Sequence, residues 1–457
     1  MSLTFSNVHF SQQPEKAVFM SGSLLRSMGL TGKKQIQLHV GTDYISVPLK
    51  SIERSGKHLY LSSGLRSQVR VPRSGGAYVH TPREGQLHLG PVVGVLSDGS
   101  SAPGSPFGSR TGYIKQLLRE GGKKMYVYAF SPKDINWQKE TVYAYVLSAG
   151  GQFVRKTVPL PDVVYNRLPS RKTDFSNATN QLRERFLKRN IVFFNWAFFN
   201  KSDIYNLLEN DPQAGRYVPE TYNSPGTERI RDMMDRHRFV YYKPSAGSLG
   251  NGIYRLTHQP KKGYFARYSS SGGNTLLKFP SFSSLMKMLQ SKHGPALKHY
   301  VIQQGIRLIE IDDCPIDFRF HMHKNAKNRW SVVGIGAKKA GRGSVTTHIK
   351  NGGSLMTPEQ ALSRVFGSRS RDVLERAKQA AIALAEAIEN HHAHVLGEIG
   401  FDIGIDEDEK IWMFEANSKP GRSIFAHPLL KSEGKASVEH IFEHSLYLSG
   451  FLRGNDS

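Results

Sequence analysis

Glu398-Ile-Gly-Phe-Asp-Ile-Gly-Ile-Asp-Glu-Asp-Glu-Lys-Ile-Trp-Met-Phe-Glu-Ala-Asn417 is the stretch whose reading decides the fold. Bulky apolar residues alternate through Phe401 to Ile405 and again through Ile411 to Ala416, with the acidic, turn-like run Asp406 to Lys410 between them. This is the pattern of a β-hairpin. With the turn centred between Asp408 and Glu409, Asp402 falls opposite Glu415, and Asn417 lies two residues on, on the same face of its strand. Like charges that face each other across a strand pair are destabilising. A divalent cation between them would remove that cost, and two carboxylates with a carboxamide are the hard-oxygen donors that suit Mg2+ or Mn2+. The same residues also describe a solvated sheet face on which two acids happen to meet.

Moving outward, the 457-residue chain is long enough for about three domains. Its composition, 39% hydrophobic and 10% aromatic, excludes a disordered chain. No apolar run approaches the ~20 residues of a membrane-spanning helix. Met-Ser-Leu-Thr-Phe-Ser lacks the basic-then-apolar order of a signal peptide. Cys314 is the single cysteine, which leaves neither a disulfide framework nor a thiolate zinc site. A cytosolic location is therefore expected. The net charge of +24, from 62 basic and 38 acidic residues, favours polyanionic or phosphate-bearing ligands. Those charges are spread along the chain, many of them as solvated faces. No nucleic-acid reader motif or aromatic-basic stripe accompanies them, which weighs against a nucleic-acid partner.

Residues 1–87 read as strands and turns: Gln35 to Val40 and Lys57 to Leu61 alternate, and Tyr44 to Val47 follows the first of them. The Gly/Pro-containing segment Ser74 to Gly90 marks a boundary. Pro91 to Ser97 then reads as a buried strand, Gly112 to Glu120 as a helix stopped by Gly121-Gly122, and Met125 to Phe130 as the next strand. Strand–helix–strand alternation, continued by Val163 to Arg167 up to the Arg-rich Asn180 to Asn190, predicts an α/β unit with parallel strands.

From residue 191 onward the chain changes again. Phe239 to Lys243 is a strand, and a loop with Gly247, Gly250 and Gly252 leads to the strand Ile253 to Leu256. Glycine-rich backbone in such a flap can cradle phosphate oxygens, and it can equally be a plain turn. Lys243, at the end of the entering strand, is placed to add a point charge. His299 to Ile306 is a strand that either flanks a base or simply belongs to a core. In Ile316 to His323, alternation sends Ile316, Phe318, Phe320 and Met322 to one face and Asp317, Arg319, His321 and His323 to the other. That second face is wet surface or the floor of an anion site clamped by Arg319. Val373, Ala377, Ala380, Leu384 and Ile388 predict an amphipathic helix packed behind the opening hairpin.

Several motifs occur in order: Pro159 to Arg167, Phe198 to Tyr205, Val218 to Thr221, Lys243-Pro through Ile253, Asp317 to Arg319, Gly397 to Asp402, and Phe414 to Gly421. Each is weak singly and the set is specific. Over roughly residues 90 to 450 the chain resembles the YheC/YheD family of ATP-grasp proteins, described as endospore-coat-associated. The resemblance implies an α/β (α+β) architecture. A β-rich module (1–87) and a Rossmann-like pre-ATP-grasp domain (88–190) would precede an ATP-grasp domain (191–457). It also implies ATP and Mg2+ (or Mn2+) as cofactors. Lys201 and Lys243 would reach the phosphates, Gly247, Gly250 and Gly252 would form the flap, and Gln303, Gln304 and Ile306 would lie on the adenine hinge. Arg319 would steady the transferring phosphoryl group, and Asp402, Glu415 and Asn417 would hold the metal. The activity implied is carboxylate–amine ligation through an acyl phosphate, with an acidic carboxylate substrate. The alternative is a silent ATP-binding scaffold among spore-coat proteins. One departure touches the acceptor side: His348 to Gly353 reads His-Ile-Lys-Asn-Gly-Gly where related ligases carry an Asn-Leu-His-Arg-Gly-Gly-like segment.

Overall fold

The computed structural model describes residues 2–66, 68–102, 104–245, 252–270, 273–341 and 353–452. The first ninety residues close seven strands into a barrel, from Ser2–Phe10 to Gln86–Gly90. Alternating residues such as Leu38, Val40, Leu59 and Leu61 point into its centre and are fully buried or nearly so. Closure removes the free edges that short strands would otherwise expose.

Next comes a seven-stranded sheet. At its centre Val92–Leu96 pairs in parallel with Tyr126–Phe130 on one side and Val163–Asn166 on the other. Helix Thr111–Gly121 makes the crossover, burying Ile114, Leu117 and Leu118. The strand–helix–strand expectation therefore holds. The sheet also takes in Val192–Phe194, parallel to Val163–Asn166.

A six-stranded antiparallel sheet follows, in the order Thr221–Asn223, Tyr300–Gln304, Val240–Pro244, Tyr254–Gln259, Gly263–Ser270, Gly273–Phe279. The fourth sheet is also antiparallel: Ser354–Met356, Trp330–Lys339, Cys314–Lys324, Glu398–Ile405 and Ile411–Asn417 run side by side, with Glu310–Ile311 paired to Cys314–Lys324. The mixture is an α+β chain. Behind the last sheet, helix Ser370–His391 buries Val373, Ala377, Ala380, Leu384 and Ile388 against Phe318, Phe320, Phe401, Ile403 and Met413. The 3.6-residue stripe of the helix meets the two-residue period of the strands in one core. Among the described residues no helix is long and apolar enough to cross a membrane.

Candidate functional site

The opening hairpin forms. The expected register holds at the site itself, where Asp402 stands opposite Glu415 and Gly400 opposite Asn417; a bulge just beyond Asp402 shifts the rest by one residue, so Ile403 faces Met413, Ile405 faces Ile411, and the turn is centred on Asp408 and not between Asp408 and Glu409. On the other side of the same strand, Arg319 stands opposite Asp402. Three adjacent strands thus present Arg319, Asp402 and Glu415 in a row, which is one face of a sheet read across its strands.

Asp402 accepts hydrogen bonds from Arg319 Nε and Nη2, each at 2.8 Å, and from Lys338 Nζ at 2.9 Å. Lys338 Nζ also lies 2.9 Å from Asp317 Oδ1. Burial pushes the Asp402 carboxyl up, but Arg319 and Lys338 outweigh it and hold its pKa well below the usual carboxylate range. Glu415 is more open, 29% exposed, with Lys201 Nζ at 3.4 Å. A metal ion is therefore not the sole source of relief for the facing acids. The protein's own cations, Arg319 and Lys338 on one acid and Lys201 on the other, already offset the repulsion.

Lys243 reaches the same place from the third sheet. Its ammonium donates to Gln303 Oε1 at 2.7 Å and to the Tyr205 hydroxyl at 3.3 Å. Burial lowers its pKa to about 8, even though Glu415 and Asp402 favour the charge. Tyr205 in turn donates to the Phe414 carbonyl, on the hairpin itself. Lys201 and Tyr205 sit four residues apart on helix Lys201–Glu209, so one helical face delivers both. Asn200 caps that helix by accepting from Ser202 N at 3.0 Å.

The other candidates are placed differently. Gln303 is buried, and its amide donates to Thr221 Oγ1 at 3.0 Å while its oxygen holds Lys243, so this side chain positions the lysine. Gln304 accepts from the Glu220 backbone N–H at 3.2 Å, and Ile306 is buried. Gly252 has φ +73, and a side chain there would meet the Tyr300 hydroxyl and Pro244. Gly247, Gly250 and the segment His348 to Gly352 lie outside the described residues. His321 and His323 are completely buried, so that end of the polar strand face is not wet surface.

Sequence reasoning passed over Tyr205, Thr221 and the pairing of Lys338 with both acids. The last had a signal: alternation along Trp330 to Lys339 puts Lys338 on the polar face, and Asp317 faces it in register. The buried pair Arg167–Glu398, with Tyr165 donating to Glu398 at 2.6 Å, was also missed.

The donor chemistry fits a hard divalent cation. Among the described residues no three His, Cys, Asp or Glu side chains gather as a metal site. Two carboxylates and an amide, completed by substrate phosphates, are what Mg2+ ordinarily takes from a protein.

A family model described as YheC/D like ATP-grasp matches residues 190–448. The endospore coat-associated protein YheD of Bacillus subtilis (strain 168) is 35% identical over 402 residues, covering 85% of each chain. YheC of the same organism is 23% identical over 297 residues, covering 64% of this chain and 80% of its own. Among solved structures, the D-alanine-D-alanine ligase from Coxiella burnetii superposes with a TM-score of 0.42 at 12% identity, covering 79% of this chain and 98% of that one. The ATP-grasp ligase PsnB, complexed with a precursor variant, Mg and ADP, gives 0.42 at 14% identity over 78% and 98%.

Proposed function

Because the chain belongs to the YheC/D-like ATP-grasp family, we propose that it is an ATP-dependent ligase joining a carboxylate to an amine. In this reading a carboxylate oxygen of the substrate attacks the γ-phosphorus of ATP and ADP leaves. The amine nitrogen then attacks the acyl phosphate, and phosphate and a proton are released. The observation that carries the reading is the row Arg319–Asp402–Glu415, with Lys201 and Lys243 converging on it.

Phosphoryl transfer asks for positioning and charge neutralisation more than for a covalent catalyst. Lys243 and Lys201 bind the phosphates, with Gln303 and Tyr205 fixing the Lys243 ammonium. Arg319, whose planar fork is held by Asp402 here, would turn from it to steady the transferring group. Asp402, Glu415 and Asn417 would hold Mg2+, which supplies further charge neutralisation on the phosphate oxygens. Gly252, with φ +73, would belong to a flap over the triphosphate that excludes water. The names of the two Bacillus relatives support a spore-coat setting.

A second reading rests on one observation: Asp402 already accepts three hydrogen bonds, from Arg319 and Lys338. A protein in which that network never opens would bind ATP without turnover, as a coat component. Incubation with ATP, Mg2+ and an amino-acid and peptide pool separates the two. ADP release that depends on the pool supports the ligase, and saturable ATP binding without ADP release supports the silent scaffold.

A further inference from the structure

Helix Thr111–Gly121, the turn Ser423–Ala426 and the start of helix Lys431–Leu448 border an open cavity of about 450 Å³, lined by Gly112, Tyr113, Gln116, Arg422, Phe425 and Lys431. The volume is that of a small-molecule site. The cavity is separate from the lysine–carboxylate arrangement but is joined to it by one polar strand face. Arg319, His321 and His323 follow each other on that face, opposite Asp402, Gly400 and Glu398. His321 Nε2 donates to the Gly421 carbonyl at 3.1 Å, beside Arg422. His323 Nε2 lies 2.8 Å from Ser437 Oγ, which also accepts from Arg422 Nη1 at 2.6 Å.

The cavity has more positive charge than its acids use. Arg422 donates to neutral acceptors, Ser437 Oγ and the Gly434 carbonyl, and lies over the rings of Tyr113 at 4.6 Å and Phe425 at 4.7 Å. Arg167 lies over the same Tyr113 ring at 5.5 Å, and Glu398 takes its charge. Among the described residues neither Arg422 nor Lys431 has an ion pair with a carboxylate. Of the nearby acids, Glu398 is committed to Arg167 and Tyr165, and Glu433 accepts from Ser432. A half-buried guanidinium stack on aromatic faces without a carboxylate is a built receptor for an anion.

We propose that this cavity is a second anion-binding site, so that the substrate carries two acidic groups: one presented to Arg319 for phosphorylation and one held by Arg422, with Lys431 at the rim. The proposal rests on reading the Arg319 end as the reaction centre. His321 separates the two, and a step of two residues along a strand is roughly 7 Å. The acids of the substrate therefore stand at least about that far apart, as in an acidic peptide or a long diacid, and farther than in aspartate.

Calorimetric titration of the full-length chain tests this, with glutarate, pimelate and azelate set against heptanoate, with and without ADP and Mg2+. Pimelate or azelate should bind at least about tenfold more tightly than heptanoate and than glutarate, with Arg422→Gln bringing them to the level of heptanoate. Lys431→Gln, at an exposed rim position, should weaken the long diacids about two- to threefold at low salt. Both variants should keep wild-type affinity for ATP. Equal binding of diacid and monoacid, including binding of neither, would overturn the proposal, as would diacid selectivity surviving in a folded Arg422→Gln. If Arg422→Gln fails to fold, the wild-type preference and the Lys431→Gln response decide. A chain that fails to bind ATP removes the ligase reading, whereas diacid preference without nucleotide still decides the cavity.

Discussion

Replacing Asp402 with asparagine separates what the hairpin does for the fold from what it does for a nucleotide. The carboxylate receives two hydrogen bonds from Arg319 and one from Lys338, and the three side chains are 14%, 18% and 14% exposed. An amide of the same size balances neither cation. Removing one member of a buried ion pair costs about 3–5 kcal/mol, because the abandoned charge stays buried. Two features bring the expectation to the lower end: Asp317 still holds Lys338 at 2.9 Å, and the residual exposure admits solvent screening. The expected loss is about 3 kcal/mol. Glu415→Gln removes a single contact to Lys201 at 3.4 Å from a side chain 29% exposed, and should cost less than about 1 kcal/mol. Chemical denaturation followed by tryptophan fluorescence compares the two, with Trp330 and Trp412 reporting from the same sheet. The pH dependence has a definite sign. The folded pKa of Asp402 is depressed, so its stabilisation is complete above about pH 4 and is lost as pH falls below that value. The deficit of Asp402→Asn should persist through neutral pH and shrink only in acid. Equal denaturation midpoints for Asp402→Asn and wild type near neutrality would refute the reasoning, as would a Glu415→Gln equally damaged.

Lys243, with its pKa lowered to about 8, should make ATP affinity fall by up to about tenfold per pH unit above pH 8. Stability should move the other way between about pH 8 and 10, where the unfolded chain binds the extra proton; Lys243→Arg should flatten both profiles in parallel titrations. Gln303→Leu leaves the Lys243 ammonium without its 2.7 Å acceptor and should weaken ATP binding about tenfold, since hydrogen bonds to charged groups are worth about 1.5–3 kcal/mol; an unchanged dissociation constant would remove Gln303 from the site. Gly305→Ala would drive a Cβ to 2.1 Å from the Phe239 ring and 2.5 Å from its carbonyl oxygen, with an expected loss of about 1–3 kcal/mol measurable as a lowered unfolding midpoint.

The hairpin register was legible because a two-residue period and an acidic turn admit one pairing that keeps the apolar side chains together. Asp402 opposite Glu415 followed from that alone, as did the amphipathic helix behind them. The parallel sheet was legible from its strand–helix–strand texture. What compensates Asp402 was harder to see. Lys338 comes from a neighbouring strand, and pairing between strands distant in sequence is fixed by tertiary packing, not by any local pattern. His321 and His323 read as wet surface or the floor of an anion site because polar residues alternate there; more than a hundred residues later, helix Lys431–Leu448 reaches His323 through Ser437 and Phe425 lies against His321. Gln303 lies on the strand expected to flank a base, yet its side chain is engaged with Lys243 and Thr221. Side-chain direction across two sheets is not written in one strand.

The central claim is that Asp402, Glu415 and Asn417 hold the metal of a nucleotide complex. Anomalous diffraction from crystals grown with Mn2+ and a non-hydrolysable ATP analogue tests it most directly. The account expects one manganese peak about 2.0–2.3 Å from oxygens of all three side chains, with Arg319 turned from Asp402 toward the phosphates. A bound nucleotide whose manganese lies elsewhere, with Arg319 and Lys338 still closed on Asp402, would contradict it.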